Sequence, residues 1–522
     1  MTLWGMLATQ SAQVGMFDAA VVMGPLPVGS FFALLAEHGN RIVRDGDFAE
    51  CYSSGMGRPS IPPSQLAKVM LLQHRTGASD EQAMECVAWD LRWKIALGLP
   101  VDHQGWHPTS LTKFRARLLL HGKERVVLEN TLRLAAELGM LEGTAEQIID
   151  STPMLGAAAT QDTVRLIRHG VKKLIDAVAT VDVEAGGLLA DGLEFDYSRP
   201  NEKPDAQWRV RVERERMLTR VAQDAERALA AVERVGWLLD DERIKAAHGL
   251  LRELIGQDFE IDDDGVPRLY CGTRQGRIIS TVDPEMRHGR KSNAQLFDGY
   301  KISAAATNSS EPLITAVDVC PAGETDGPQA KRLIDSQPPD QRPDRILGDT
   351  AYGNGPVRAE LAERRVDVLA PVPEGKVEEG VLGKRDFEID LDAGTVRCPG
   401  GHVVPVSVSR TGFRGANFTA AMCRGCPLKA RCCPGKSRRQ IRIIEHEELL
   451  QAGRQALQDA IAAEHLRRTR PRIERLLGLL AHRYGARKSR YMGSAKARLQ
   501  AAWAAALVNL NPIARRLAAQ TA

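Results

Sequence analysis

No run of apolar residues in this sequence is long enough to cross a bilayer. The longest one near the end, AAWAAALVNL, falls short of the roughly 20 residues a spanning helix needs, so no membrane partner is expected. The first residues, MTLWGMLATQSAQVGMF, are mildly apolar but lack a basic leading segment, so no secretory signal is expected. Net charge is nearly absent at +4 and says little about partners. No internal repeat of solenoid length is visible. Three familiar signatures fail. PGKS at 434–437 has Ala430 where a phosphate-cradling loop needs glycine. EIDDDG at 260–265 starts like a calcium loop, but Cys271 stands where the bidentate glutamate belongs. No G-x-S-x-G nucleophile turn occurs.

The 522 residues are 43% hydrophobic, which indicates a globular chain long enough for several domains. Nine cysteines are present, and five of them, Cys398, Cys423, Cys426, Cys432 and Cys433, crowd into one stretch. Without a signal sequence, such clustering reads as metal binding rather than disulfides. Cys423 and Cys426 have C-x2-C spacing, Cys432 follows, and Cys398 opens a C-P-G-G knuckle. Cys398, Cys423, Cys426 and Cys432 would close a tetrahedral Zn²⁺ site, with Cys433 or His402 as substitutes. Four protein ligands leave no open position, so this zinc would be structural. The scattered Cys51, Cys86, Cys271 and Cys320 read as packing thiols.

Residues 1 to about 140 read as helical. One helix stops at Gly77. Ser79 and Gln82 form a capping box for the next, and another opens at Thr109 or Ser110. A short turn between helices is compatible with helix-turn-helix DNA binding, although most such pairs are core hairpins. Strands then alternate with helices, which points to a mixed α/β sheet. AEQIIDST is the first strand, FDGYKISAAATN and PLITAVDVC form a hairpin, and DRILGDT and VDVLAPV follow. Residues 156 to 275 interrupt the sheet with what reads as a long, solvated helical hairpin.

Two strands run into an acid: Ile148 and Ile149 into Asp150, and Ile346 and Leu347 through Gly348 into Asp349. A buried carboxylate is costly unless it is paired or binds a metal. Two such acids brought together suit hard divalent cations, which act on phosphodiesters. The third acid of such a cage should lie near DNA. Between Glu464 and Arg498 the chain has eleven Arg or Lys against two Glu. Glu474 stands there among Arg470, Arg472, Arg475, Arg483, Arg487 and Arg490. A lone glutamate in such a helix is most often a surface ion pair.

IIDSTPM, PEMRHGRKS, FDGYK, ILGDTAYG, CRGCPLKARC and RPRIERLLGLLAHRYGARKSRYMG, in this order, together resemble a bacterial insertion-sequence transposase of the DDE type. The resemblance implies a ribonuclease H-like core in which Asp150, Asp349 and Glu474 hold two Mg²⁺ (or Mn²⁺) ions. It implies DNA strand cleavage at transposon ends and 3′-hydroxyl strand transfer into target DNA. The alternatives are a nuclease that cuts without joining, a catalytically inactive DNA-binding relative and a zinc-stabilised interaction protein. The expected organisation has four parts. A helical N-terminal domain over 1–140 serves DNA binding or dimerisation. A catalytic core over 141–380 carries the insertion at about 156–275. A Cys-rich module covers 381–440, and C-terminal helices over 441–522 complete the core. DNA contacts are expected from the six arginines around Glu474 and from Arg287, Arg290 and Lys291. A homodimer or higher oligomer on DNA and a cytoplasmic, nucleoid-associated location are also expected. One departure concerns the family pattern Tyr-x2-Arg-x3-Glu-x6-Lys: Arg467 stands at the Tyr position and Ala481 at the Lys position, so His482 and Arg483 are candidate substitutes.

Overall fold

The computed structural model describes residues 6–521 except 11–14, 54–57, 144, 264–265, 271, 273, 293–294, 376–377, 410–411 and 413. Cys271, read above as a packing thiol, lies outside the described residues.

Seven helices come first: α1 (Ala19–Met23), α2 (Phe31–Ile42), α3 (Pro63–Thr76), α4 (Asp80–Trp89), α5 (Leu91–Leu97), α6 (Thr109–Leu120) and α7 (Val126–Glu137). Gly77 ends α3 at φ 75°, a left-handed cap that a side chain would resist. The Ser79–Gln82 capping box starts α4 as expected. The outward face of α4 carries Glu81, Gln82, Glu85 and Trp89.

The central sheet contains β1 (Glu146–Leu155) and, beyond the insertion, β4 (Arg287–Ser292), β5 (Gln295–Thr307), β6 (Ile314–Pro321), β7 (Arg345–Leu347) and β8 (Asp367–Leu369). β5 runs antiparallel to β1, and β7 and β8 run parallel to it. β4 and β6 share one edge of β5, which gives the order β6-β5-β1-β7-β8 with β4 extending the β5 end. This is a ribonuclease H-like sheet. Alternation along β1 sends Ile148 and Met154 to one face and Ile149 to the other. The Ile149 face packs on α12 (Gly327–Asp335) and α13 (Gly355–Ala362).

The insertion holds α8 (Thr163–Val181), α9 (Val183–Asp191), α10 (Arg211–Arg234), α11 (Glu242–Asp258) and a hairpin of β2 (Phe259–Ile261) and β3 (Pro267–Leu269). It is not a solvated hairpin. Val171, Leu174 and Val178 of α8 close a separate core with Leu218, Val221, Ala225 and Leu229 of α10 and Leu251 and Ile255 of α11. The apolar stripe of α10 packs against α8, a partner that lies far back in the sequence.

The Cys-rich segment forms an antiparallel sheet of β9 (Glu388–Asp390), β10 (Thr395–Arg397), β11 (Val403–Val408), β12 (Arg414–Asn417) and β13 (Gln440–Arg442), with short α14 (Ala420–Arg424) and α15 (Lys429–Cys432). Three helices follow: α16 (Glu447–Ala456), α17 (Ala460–Gly478) and α18 (Ser494–Thr521). α18 packs on β6, α7 and α3. It thereby joins the N-terminal helices, α17 and the sheet in one core that runs from Phe31 to Leu517. Among the described residues, no helix is long and apolar enough to cross a membrane.

Candidate active site

Ile148 and Leu347 form the last rung between β1 and β7. Past it the two parallel strands part. β7 turns through Gly348 to Asp349. The Tyr352 ring covers Gly348 so closely that an added Cβ would lie 2.8 Å from it. β1 continues, paired with β5, to Leu155, where its other edge meets Lys488. Asp150 is therefore a mid-strand residue and not the strand tip expected from the sequence. Pro153 is tolerated because its edge no longer faces β7. On that same edge, the Leu155 N–H donates to the Arg487 carbonyl at 2.9 Å.

Asp150 and Asp349 thus flank the gap where β1 and β7 diverge. α17 lies across β1 and brings Glu474 to the same cleft. Asp150 Oδ1 accepts from the Ser151 N–H at 2.7 Å, and Asp349 Oδ1 accepts from the Ala351 N–H at 2.9 Å. Glu474 is exposed, and its ion pair with Arg470 is long, 4.0 Å. Burial above all pushes the Asp150 carboxyl up to about 6. The charges of Asp349 and Glu474 add to the rise, while the Ser151 hydrogen bond and Arg470 oppose it. A carboxylate so short of compensation favours an incoming cation.

Arg290, Lys291 and Arg470 line this cleft. Arg287 lines an adjoining cavity and donates to the carbonyls of Pro284 and Met286. Arg475 and Arg483 are exposed outside the cleft. The other three arginines named from the sequence turn inward. Arg472 donates to Asn308 Oδ1 at 2.6 Å, Arg487 reaches the Pro153 carbonyl at 3.5 Å, and Arg490 donates to the Ala78 carbonyl. Those bonds tie α17 and the segment after it to the β5–β6 turn, to β1 and to the N-terminal helices. A π-helical turn over Leu479–Arg483 follows α17 and carries Ala481 and His482 to the cleft wall, whereas Arg483 stays off it.

The three acids offer hard oxygens suited to Mg²⁺ or Mn²⁺. The five clustered cysteines face one small cavity with His402. Cys398 and Cys426 both flank Gly400, and burial first, then the neighbouring Cys423, pushes the Cys433 thiol up. Thiols in that number suit Zn²⁺. Among the described residues, however, no group of three or more His, Cys, Asp or Glu is already gathered closely enough to hold a metal ion. Both sets surround a cavity but are not drawn in on a centre.

Sequence reasoning missed Lys301 and Asp326, which line the cleft beside the three acids. Lys301 sits inside the FDGYK motif, and that was its one visible signal. Asp326 immediately precedes α12.

Two family models match the chain. One, described as "Transposase DDE domain", covers residues 397–514, from the Cys-rich module to α18 and including Glu474. The other, described as "Transposase domain (DUF772)", covers residues 26–117, which are helices α2 to α6. Neither match includes Asp150 or Asp349. No curated protein and no solved structure gives a significant match. A transposase match on each side of a ribonuclease H-like sheet supports an insertion-sequence transposase of the DDE type.

Proposed function

We propose that this chain cuts DNA at the ends of its own element and joins the freed 3′-hydroxyl to target DNA, with Asp150, Asp349 and Glu474 holding divalent cations. The supporting observation is one cleft, lined by these three carboxylates from distant segments and rimmed by Arg290, Lys291 and Arg470. When bound, Mg²⁺ or Mn²⁺ would polarise the phosphodiester, activate water or a 3′-hydroxyl and steady the leaving oxygen. The chain's own residues bind and orient. Arg290 and Lys291, without an ion pair among the described residues, take phosphate oxygens and position the strand without reading its sequence. Arg470, whose charge reaches Asp150 and which pairs with Glu474, sets the approach of the third acid. Insertion of a whole element joins two ends to target DNA, a task suited to a dimer or larger assembly on DNA.

The test is Mg²⁺-dependent cleavage of the element's own ends, followed by a strand-transfer assay. Nicks with 3′-hydroxyls and joined products are expected from wild type and neither from Asp150→Asn. Cleavage without joining would reduce the activity to that of a nuclease, and cleavage by Asp150→Asn would overturn the site.

The thiol set points to structural Zn²⁺ on Cys398, Cys423, Cys426 and one of Cys432 or Cys433, each sulfur drawn to about 2.3 Å from the ion. Freshly purified, reduced protein should contain about one zinc per chain, and a chain with none would refute this part.

A further inference from the structure

Lys301 lies on β5 opposite Pro153 of β1. Its ammonium donates to Asp326 Oδ1 at 2.8 Å and to the Glu324 carbonyl at 2.6 Å. The pair is mostly buried, with side chains 13% and 23% exposed, and both residues line the same cleft as Asp150, Asp349 and Glu474.

Two further observations single out Asp326. It occupies the N-cap position of α12 but makes no side-chain cap bond. An aspartate there ordinarily accepts from the first helical N–H groups. Here the Asp326 backbone is already helical, at φ −73° and ψ −22°, and Pro328 offers no N–H, so the carboxylate is left to pair with Lys301 at the cleft. The second is Tyr352, which is 1% exposed. Burial first, then the charges of Asp326, Asp150 and Asp349 in that order, hold its proton in place. Asp326 therefore belongs to the same acidic neighbourhood as the two strand acids.

We propose that Asp326 is a fourth carboxylate of the cation site and that Lys301 is its resident counter-ion, displaced when a divalent cation enters. The inference rests on reading the cleft as a divalent-cation site. Of the four carboxylates that line the cleft, Asp326 pairs with Lys301 and Glu474 pairs at 4.0 Å with Arg470, while Asp150 and Asp349 have no ion pair among the described residues. A divalent ion offers twice the charge to the same oxygens. The lysine stem is flexible enough to withdraw its compact charge once the carboxylate is taken. Lys301 thus holds Asp326 while no cation is bound, and Asp326 joins the cage on loading.

Crystals of the full chain soaked in Mn²⁺ test this without a variant that could fail to fold. The anomalous peak should lie within coordination distance of Asp326 as well as Asp150, with Lys301 moved off its partner. In solution, Mn²⁺ titration followed by the loss of the free-ion electron paramagnetic resonance signal should show tighter binding by Lys301→Gln. Adding Asp326→Asn to that variant should weaken binding by about tenfold or more. That is the range expected when a supporting ligand is lost. Mn²⁺ bound by Asp150 and Asp349 with Asp326 still on Lys301 would overturn the proposal and leave the site reading intact. No Mn²⁺ in the cleft, and no binding by wild type in solution, would overturn the site reading and the proposal with it.

Discussion

Glu474 is where two chemically distinct roles predict opposite outcomes. As a cation ligand it supplies an anionic oxygen, and as a surface partner of Arg470 it supplies little. Glu474→Gln keeps helix α17 and the surrounding arginines and removes one negative charge near phosphate. DNA affinity should therefore hold or rise slightly while cleavage and joining collapse. If the 4.0 Å contact with Arg470 is all that is lost, the cost is at most about 1 kcal/mol of stability and the chemistry survives. A Glu474→Gln protein that still cleaves element ends near the wild-type rate would end the assignment.

Asp150 gives a second test at the same scale. Its carboxyl is lifted from 3.8 to about 6, chiefly by burial. The native chain without metal then binds this proton more tightly than the unfolded chain does. The stability from this group is fully present below about 4 and is lost as pH rises to about 6. Asp150→Asn removes the charge, so the metal-free variant should be more stable than wild type at pH 8, by about 1–3 kcal/mol. The advantage should shrink towards pH 4. Thermal melts at the two pH values check it, and an equal gap at both would mean that Asp150 is well solvated.

At the scale of elements, the cleft depends on how β1 and β5 close their shared end. Gly299 pairs with Leu155 at φ 139°, where an added Cβ would lie 2.3 Å from the Gly156 nitrogen and 2.5 Å from the Met154 oxygen. Only glycine fits there, which accounts for the glycine of FDGYK. Gly299→Ala should lose about 2–4 kcal/mol in urea unfolding, through strain and parted strands. Gly249, exposed in α11 with nothing within 4 Å of an added Cβ, is the contrast. Gly249→Ala should gain about 0.5–1 kcal/mol. Equal effects at the two sites would show that the β1–β5 end is loose.

At the scale of the whole molecule, two helical regions that look alike in sequence relate differently to the sheet. The N-terminal helices share a core with α18 and the catalytic strands. A chain starting at residue 141 would expose that face and should not melt cooperatively. The insertion closes its own main core, and its roots meet where the Gln161 N–H donates to the Ile279 carbonyl at 2.8 Å. Replacing 162–278 with a short turn should leave a cooperatively folding chain. Calorimetry of the two truncations checks both, and the reverse result would overturn the account.

Local patterns were enough for much of this. The Gly77 stop, the Ser79–Gln82 cap, the β5–β6 hairpin and the apolar run before each aspartate follow from interactions within a few residues, which the sequence displays directly. They were also enough to mark Asp150, Asp349 and Glu474 as candidates. Tertiary structure alone decided the rest. Asp150 lies mid-strand because β5 outlasts β7 as its partner. Arg472, Arg487 and Arg490 point inward because their acceptors, Asn308, Pro153 and Ala78, come from distant segments. Asp326 pairs at the cleft with Lys301, which lies on another strand. Each outcome depends on a partner remote in sequence, and helical or strand periodicity carries no information about that partner.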